Sequence, residues 1–239
     1  MIDVHNHILY GIDDGCKTKE ESLSVLEKMS NLGYEKIVVT PHYMEEANYT
    51  ANHEEKMKLL KELETELKFK HIPLKLYLGQ EIYIQESIEE KIKRKQISTI
   101  NNRKVLLVEI PMFEKMHEAL DFLDELIFQG YKVILAHPER YLIFQENPTL
   151  IQDYLSQGIF LQGNIESING KYGRKAQKLS KFLLKNKMYF VLASDVHCEN
   201  ASFFEDYYKI KKKLLKVITE DYFKELLFIN PEKIINADF

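Results

Sequence analysis

Residues 189–197 read YFVLASDVH. An aromatic and β-branched apolar run gives way abruptly to Ser194, Asp195 and His197. This is the pattern of a buried strand leaving a core with polar groups at its C-terminal end. Asp195 and His197 stand two apart, so on an extended chain they point to one face. A carboxylate in such a place is costly unless it is paired or binds a metal. The start of the chain repeats the pattern: residues 2–8, IDVHNHI, carry His5 and His7 at the same spacing. In a closed barrel the first and last strands are neighbours, and these four side chains would meet. Whether the two ends adjoin therefore decides the fold.

Five more β-type runs lie between them, at 36–42 (KIVVTPH), 74–84 (LKLYLGQEIYI), 104–111 (KVLLVEIP), 132–140 (KVILAHPER) and 159–164 (IFLQGN). Amphipathic segments separate most of them. In the first, Thr18 and Glu21 fit a capping box, Leu23, Leu26 and Met29 form a stripe, and Gly33 fits a helix stop. Residues 53–69 place Leu60, Leu63 and Leu67 on one face, and helical segments at 117–130 and 148–158 also end in glycine. A short helix is predicted within 86–94, and the C-terminal stretch reads as helices ending in NPEKIIN. Near-continuous apolar strands alternating with helices imply a parallel sheet with helices outside it.

His5 and His7, His42, Glu81, Glu109, His137, and Asp195 with His197 fall at or just before the C-terminal ends of different runs. A βα barrel places its chemistry there, whereas an open doubly wound sheet gathers ligands from two or three strands at one switch point. The expected fold is α/β: a distorted TIM-like (β/α)7 barrel of parallel strands with outer helices, its active site at the C-terminal strand ends, in one domain over 1–239. Imidazoles and carboxylates with few thiols suit Mn²⁺, Fe²⁺ or Zn²⁺. So many ligands exceed the needs of one ion, so two or three are expected.

The 239 residues are 45% hydrophobic and 29% charged, with net charge −4. That argues against a nucleic-acid binder relying on a basic surface; KIKRK and KIKKKLLKV are read as solvated helix faces. No run of 18 apolar residues suggests a membrane span, the N-terminus lacks a signal-peptide pattern, and two cysteines make no disulfide framework. A cytoplasmic protein without membrane insertion is the expectation. Neither Cys16 nor Cys198 has an arginine six residues on, as a cysteine phosphatase requires; those places hold Ser22 and Phe204.

Taken in order, DVHNHI…DDG, TPH, GQEI, LVEIP, AHPERY, NIESINGKYGRKAQ and ASDVH resemble the PHP (polymerase and histidinol phosphatase) superfamily. The resemblance is to its bacterial tyrosine-phosphatase branch, the CpsB/YwqE-like proteins, over nearly the whole chain. It implies one metal held by His5, His7, Glu81 and Asp195, a second by Glu81, Glu109 and His137, and a third by Asp14, His42 and His197. The acid in DDG and the glutamate in VEIP mark this branch against histidinol-phosphatase relatives. Arg140 falls on the phosphate-binding arginine, and Arg140 and His42 are the expected catalytic residues. Branch members often carry a further arginine shortly after SDxH, which CENASFF lacks.

The implied activity is hydrolysis of protein phosphotyrosine by metal-activated hydroxide, without a phosphoenzyme. Mn²⁺ is the first choice, with Fe²⁺, Zn²⁺ or Co²⁺ as alternatives. The implied partner is the tyrosine-rich tail of a bacterial tyrosine kinase controlling capsule or exopolysaccharide synthesis. Alternatives are a PHP phosphatase for a small metabolite such as histidinol phosphate or a nucleotide, a PHP-type exonuclease module, and a non-catalytic metal-binding protein. Asp13 is expected to orient its loop or stay in solvent. Asp3 either accepts a bond from one of the histidines or is buried in a contact elsewhere. Tyr10, Tyr43, Phe113, Tyr141 and Phe144 either line a cleft for a phenyl ring or pack in the core.

Overall fold

The computed structural model describes residues 1–113 and 118–239. The seven runs appear as nine short strands: β1 (Ile2–Asp3), β2 (Lys36–Val39), β3 (His42–Tyr43), β4 (Lys75–Leu78), β5 (Glu81–Tyr83), β6 (Val105–Glu109), β7 (Lys132–Ala136), β8 (Phe160–Asn164) and β9 (Val191–Ala193). All pairings between them are parallel. Two runs are interrupted, β2 from β3 at Thr40–Pro41 and β4 from β5 at Gly79–Gln80. Pro41 has no N–H to give to a ladder. The register is nevertheless the same on both sides: Val39 pairs with Leu78, and His42 with Glu81. Each is thus one strand with a break.

The sheet is formally two pieces, β1-β2-β4 and β3-β5-β6-β7-β8-β9. Backbone contacts join the outer edges. Asn6 bridges Val196 in parallel sense, His7 N–H donates to Val196 O at 2.9 Å, and Asp195 N–H donates to His5 O at 2.9 Å. The first and last runs are therefore neighbours, and the seven runs follow one another round a ring in chain order.

Alternation along each strand separates two apolar regions. Leu106, Val108, Val133, Leu135, Leu161 and Leu192 pack under the helices. Val105, Leu107, Ile134, Ala136, Val191 and Ala193 meet in the interior, where Ile234 and Ile235 of the C-terminal helix (Asn230–Asn236) join them. The interior columns climb from apolar to polar: Val105, Leu107 and Glu109 on β6, then Val191 and Ala193 on β9 with Asp195 just beyond. The mouth of the sheet is thus built by the same period-2 pattern as its core.

The outer helices follow their predicted caps. Thr18 accepts from Glu21 N–H ahead of the helix Lys19–Asn31, but Glu21 reaches back to Lys17 N–H instead of Thr18, so only half the predicted box forms. Asn52 and Glu55 make the complete box for His53–Phe69, which buries Leu60, Leu63 and Leu67 as predicted. Lys56 is also buried there, its Nζ bonded to Gln80 Oε1. The helix Ala119–Phe128 falls in the segment predicted at 117–130, whose first residue, His117, lies outside the described residues. Among the described residues no helix is long and apolar enough to cross a membrane.

Candidate metal centre

Asn6 forms the bridge to the last run, and the histidines on either side of it turn inward. His5 Nε2 and His7 Nε2 are 3.4 Å apart. Glu81 Oε2 lies 3.1 Å from the first and 3.2 Å from the second. Asp195 Oδ1 lies 3.5 and 3.6 Å from them. A tetrahedron of ligand atoms about 2.1 Å from a central Zn²⁺-sized ion has edges of about 3.4 Å. The separations among His5, His7 and Glu81 fit three ligands around one ion, with Asp195 Oδ1 beside the two histidines. The remaining nitrogens are committed elsewhere: His5 Nδ1 faces Gln162 Oε1 at 2.6 Å and His7 Nδ1 faces Asp13 Oδ2 at 2.8 Å. Both acceptors call for Nδ1–H, which leaves each Nε2 lone pair free for a metal.

Asp195 divides its two oxygens between tasks. Oδ1 faces the histidines, while Oδ2 accepts from Asn164 Nδ2 at 2.6 Å and Arg140 Nη1 at 3.1 Å. Burial alone would raise its carboxyl, but His5 and the other imidazoles hold it well below the usual carboxylate range. Glu81 is likewise held low against its burial by His5 and His42. Burial lowers His5, yet Glu81 and Asp195 outweigh this and keep its imidazole at about 9. The cluster is thus an anionic pocket that draws protons strongly, and a dication can replace them.

Two further groups of ligand atoms adjoin it. His42 Nδ1 is 3.0 Å from Glu81 Oε2 and 3.9 Å from Glu109 Oε2, and His137 Nε2 is 3.0 Å from Glu81 Oε1 and 3.7 Å from Glu109 Oε1. On the other side, Asp14 Oδ1 is 3.6 Å from both His42 Nε2 and His197 Nε2, with His7 close by. Glu109 is pushed well above its ordinary pKa by burial and by the charge of Glu81, and its Oε2 has no hydrogen-bond donor. His42 Nδ1 and His137 Nδ1 are also buried without a bond. Burial and the Arg140 charge bring His137 down to about 4, and burial with His7 brings His197 to about 4. Neutral imidazoles beside an orphaned buried carboxylate oxygen suit metal ligation.

All nine predicted ligands thus lie at one mouth. His42 lies with the set implied for it, Asp14 and His197, and reaches a second group as well. Its two nitrogens face different groups, Glu81 with Glu109 and Asp14 with His197, so the ring stands between two candidate ion positions.

The remaining expectations divide. Asp13 is buried and accepts from His7, from Gly15 N–H at 2.9 Å and from His42 N–H at 2.9 Å, so it orients the loop. Asp14, its neighbour, has a half-exposed side chain. Asp3 accepts from Ser194 and Asn6 and, among the described residues, bonds no histidine. Tyr43, Tyr141 and Phe144 are core residues, Tyr10 bonds Glu62 at 2.6 Å, and Phe113 is exposed. The aromatics that do line the mouth, a cavity of about 540 Å³, are Tyr49 and Tyr172. Tyr49 lies parallel to His42, with ring centroids 6.0 Å apart. Gln162 and Asn164 were also missed. Their i, i+2 spacing in IFLQGN is the signal that singled out the histidines, carried by amides.

An imidazole–carboxylate cluster at the C-terminal mouth of a parallel TIM-like sheet is an arrangement that can hold divalent metal ions. A histidinol phosphate phosphatase from Lactococcus lactis, solved with zinc, L-histidinol and phosphate, shares the fold at TM-score 0.59 and 17% identity, over 89% of this chain and 93% of that one. The family model for capsular polysaccharide synthesis, CpsB/CapC, matches residues 1–236, and the chain belongs to that family. It is 36% identical over 198 residues to CapC of Staphylococcus aureus, covering 82% of this chain and 77% of that one. It is 33% identical over 205 residues to the tyrosine-protein phosphatase CpsB of Streptococcus agalactiae, covering 82% and 83%. A crystal structure from work on YwqE of Bacillus subtilis and CpsB of Streptococcus pneumoniae, described as metal-dependent tyrosine phosphatases, superimposes with TM-score 0.88 at 26% identity. It covers all of this chain and 96% of that one.

Proposed function

We propose that this chain is a metal-dependent phosphatase for protein phosphotyrosine, with residues 1–239 acting as one catalytic domain. The observation that carries the reading is the set of three buried ligand atoms, from His5, His7 and Glu81, at 3.1–3.4 Å from one another, with Asp195 Oδ1 3.5 and 3.6 Å from the two histidines. Two to three divalent ions are proposed, Mn²⁺ foremost. Glu81 offers its second oxygen towards Glu109 and His137, while Asp14 and His197 hold the outer position with His42. When bound, such ions supply hydroxide at neutral pH and neutralise the phosphoryl oxygens.

The chain's own residues do the rest. Arg140 stands at the cavity wall, fixed by Asp195 and by the Tyr172 ring, whose centroid is 4.7 Å from the guanidinium carbon. It presents its remaining donors to phosphate oxygens. Tyr49, Met44 and Met112 give the cavity aromatic and thioether walls, which suit a phenyl ring. His42, between the two ligand groups, is the proposed catalytic imidazole. Membership in a capsular polysaccharide synthesis family supports the tyrosine-rich tail of a bacterial capsule-regulating kinase as substrate, met in the cytoplasm.

The test is hydrolysis of a phosphotyrosine peptide and of histidinol phosphate, side by side, after chelation and reloading with Mn²⁺, Fe²⁺, Zn²⁺ or Co²⁺. The expected result is metal-restored turnover with preference for the peptide. Preference for histidinol phosphate, or no turnover with any ion, would refute it.

A further inference from the structure

A phosphoryl group brings about two negative charges and three acceptor oxygens to the mouth, and Arg140 spends part of its guanidinium on Asp195. Residues 198–204 provide no arginine. Among the described residues lining the cavity, one other cation is present: Lys171. Its ammonium lies 5.5 Å from the centroid of the Tyr172 ring, the ring that also carries Arg140. The two cations therefore share one aromatic support on one wall.

Lys171 is held in place. Its Nζ bonds Glu166 Oε2; the lysine side chain is 34% exposed, the glutamate 3%. Ser202 Oγ donates to the other Glu166 oxygen at 2.7 Å. Ser202 lines the same cavity and opens the 13-residue helix Ser202–Leu214, whose first-turn amides carry partial positive charge. An ammonium has three donors. One goes to Glu166, and two are free to face the cavity. A buried glutamate here fixes a lysine that would otherwise wander in solvent.

We propose that Lys171, fixed by Glu166, is the second cationic contact to the substrate's phosphoryl group, beside Arg140. This rests on the reading of the cavity as a phosphate site. It assigns Glu166 and Ser202 as positioning residues for the lysine.

The test is calorimetric binding of inorganic phosphate to the Mn²⁺-loaded protein, beside KM and kcat on a phosphotyrosine peptide. K171M should weaken phosphate by about tenfold or more, the effect of a lost charged hydrogen bond, while K171R should restore most of it. Mn²⁺ affinity should not change in either. The double variant E166Q/K171M removes the orphaned buried carboxylate and should match K171M, which separates lost binding from misfolding. Phosphate affinity within twofold of the unaltered protein in both K171M and the double variant would overturn the proposal, as would absence of phosphate binding to the unaltered protein. Loss of phosphate binding in K171M by a protein inert towards the peptide would uphold Lys171 and refute the phosphotyrosine reading.

Discussion

Asp13 allows a sharp test of how the metal centre is held together. Its two oxygens serve three donors: His7 Nδ1–H and His42 N–H on Oδ2, Gly15 N–H on Oδ1. Burial would raise the carboxyl, but His7 and the two amides hold it at about 2, so it is ionised at neutral pH. Asp13→Asn keeps the shape but leaves one oxygen and one NH₂. If the oxygen faces His7, the NH₂ meets Gly15 N–H, donor against donor. If it is reversed, the NH₂ faces His7 Nδ1 and favours the tautomer with the proton on Nε2, the atom aimed at the metal.

Either orientation weakens metal binding, and partners of this kind are typically worth about 10–100-fold in affinity. That corresponds to about 1.4–2.7 kcal/mol. The stability cost of the mispaired donor is about 1–3 kcal/mol, too small to abolish folding in a domain of ordinary stability. The assay is competition for Mn²⁺ against a chromophoric chelator, with turnover measured again at saturating metal. Affinity should fall within that range while saturating metal restores most of kcat, since all nine proposed ligands remain. A folded Asp13→Asn protein that binds Mn²⁺ as tightly as the original would refute the role given to Asp13.

Three further outcomes follow from the structure. A Cβ at Gly15 would lie 2.0 Å from His7 O and 2.5 Å from His7 Cβ; Gly15→Ala should push His7 from its place, and metal content after dialysis should fall well below that of the original protein. Burial brings the Lys56 ammonium down to about 7 from an ordinary 10.5. The unfolded chain then binds a proton that the folded one lacks between those values, so this group makes stability rise with pH across that window by up to about 1.4 kcal/mol per pH unit. Lys56→Met should flatten the rise in denaturant titrations from pH 7 to 10; an unchanged slope would count against it. Cys198 lines the cavity but is not proposed to ligate metal or attack phosphorus, so Cys198→Ser should keep at least about half the turnover; loss above tenfold with metal retained would reinstate a thiol in the mechanism.

Much of the candidate site was legible because its proposed ligands fall at the ends of apolar runs, four of them, His5 with His7 and Asp195 with His197, two apart. Spacing fixes direction on an extended chain, and it did so for HNH; DVH marked the right end of the ring, where Asp195 leaves the extended conformation. The breaks at Thr40–Pro41 and Gly79–Gln80 were not legible as breaks, because the apolar pattern passes through them and the pairing register holds. Tyr49 and Tyr172 were invisible for a different reason. They sit outside the strand runs, and no periodicity reports where a loop carries its aromatics. Gln162 and Asn164 followed the rule but were passed over because amides are neither ligands nor acids.

The backbone at the mouth shows where the rule itself ends. His137 has φ +32° and Asp195 φ +53°, both in left-handed territory that non-glycine residues seldom occupy. Each follows its strand's last ladder residue closely: Ala136 precedes His137 directly, and Ser194 separates Ala193 from Asp195. A strand continued straight would carry its next side chains on along the wall. A left-handed residue turns the chain there and points the imidazole or carboxylate across the mouth, towards Glu81 in one case and His5 in the other. Such conformations cost about 1–3 kcal/mol each and persist only where the surroundings enforce them. Here the enforcement is visible: Asp195 N–H is tied to His5 O, and its Oδ2 to Asn164 and Arg140. Spacing in the sequence brings the ligands to the right end of the sheet; strained turns, held by amides and a guanidinium, bring them to within 3–4 Å of one another.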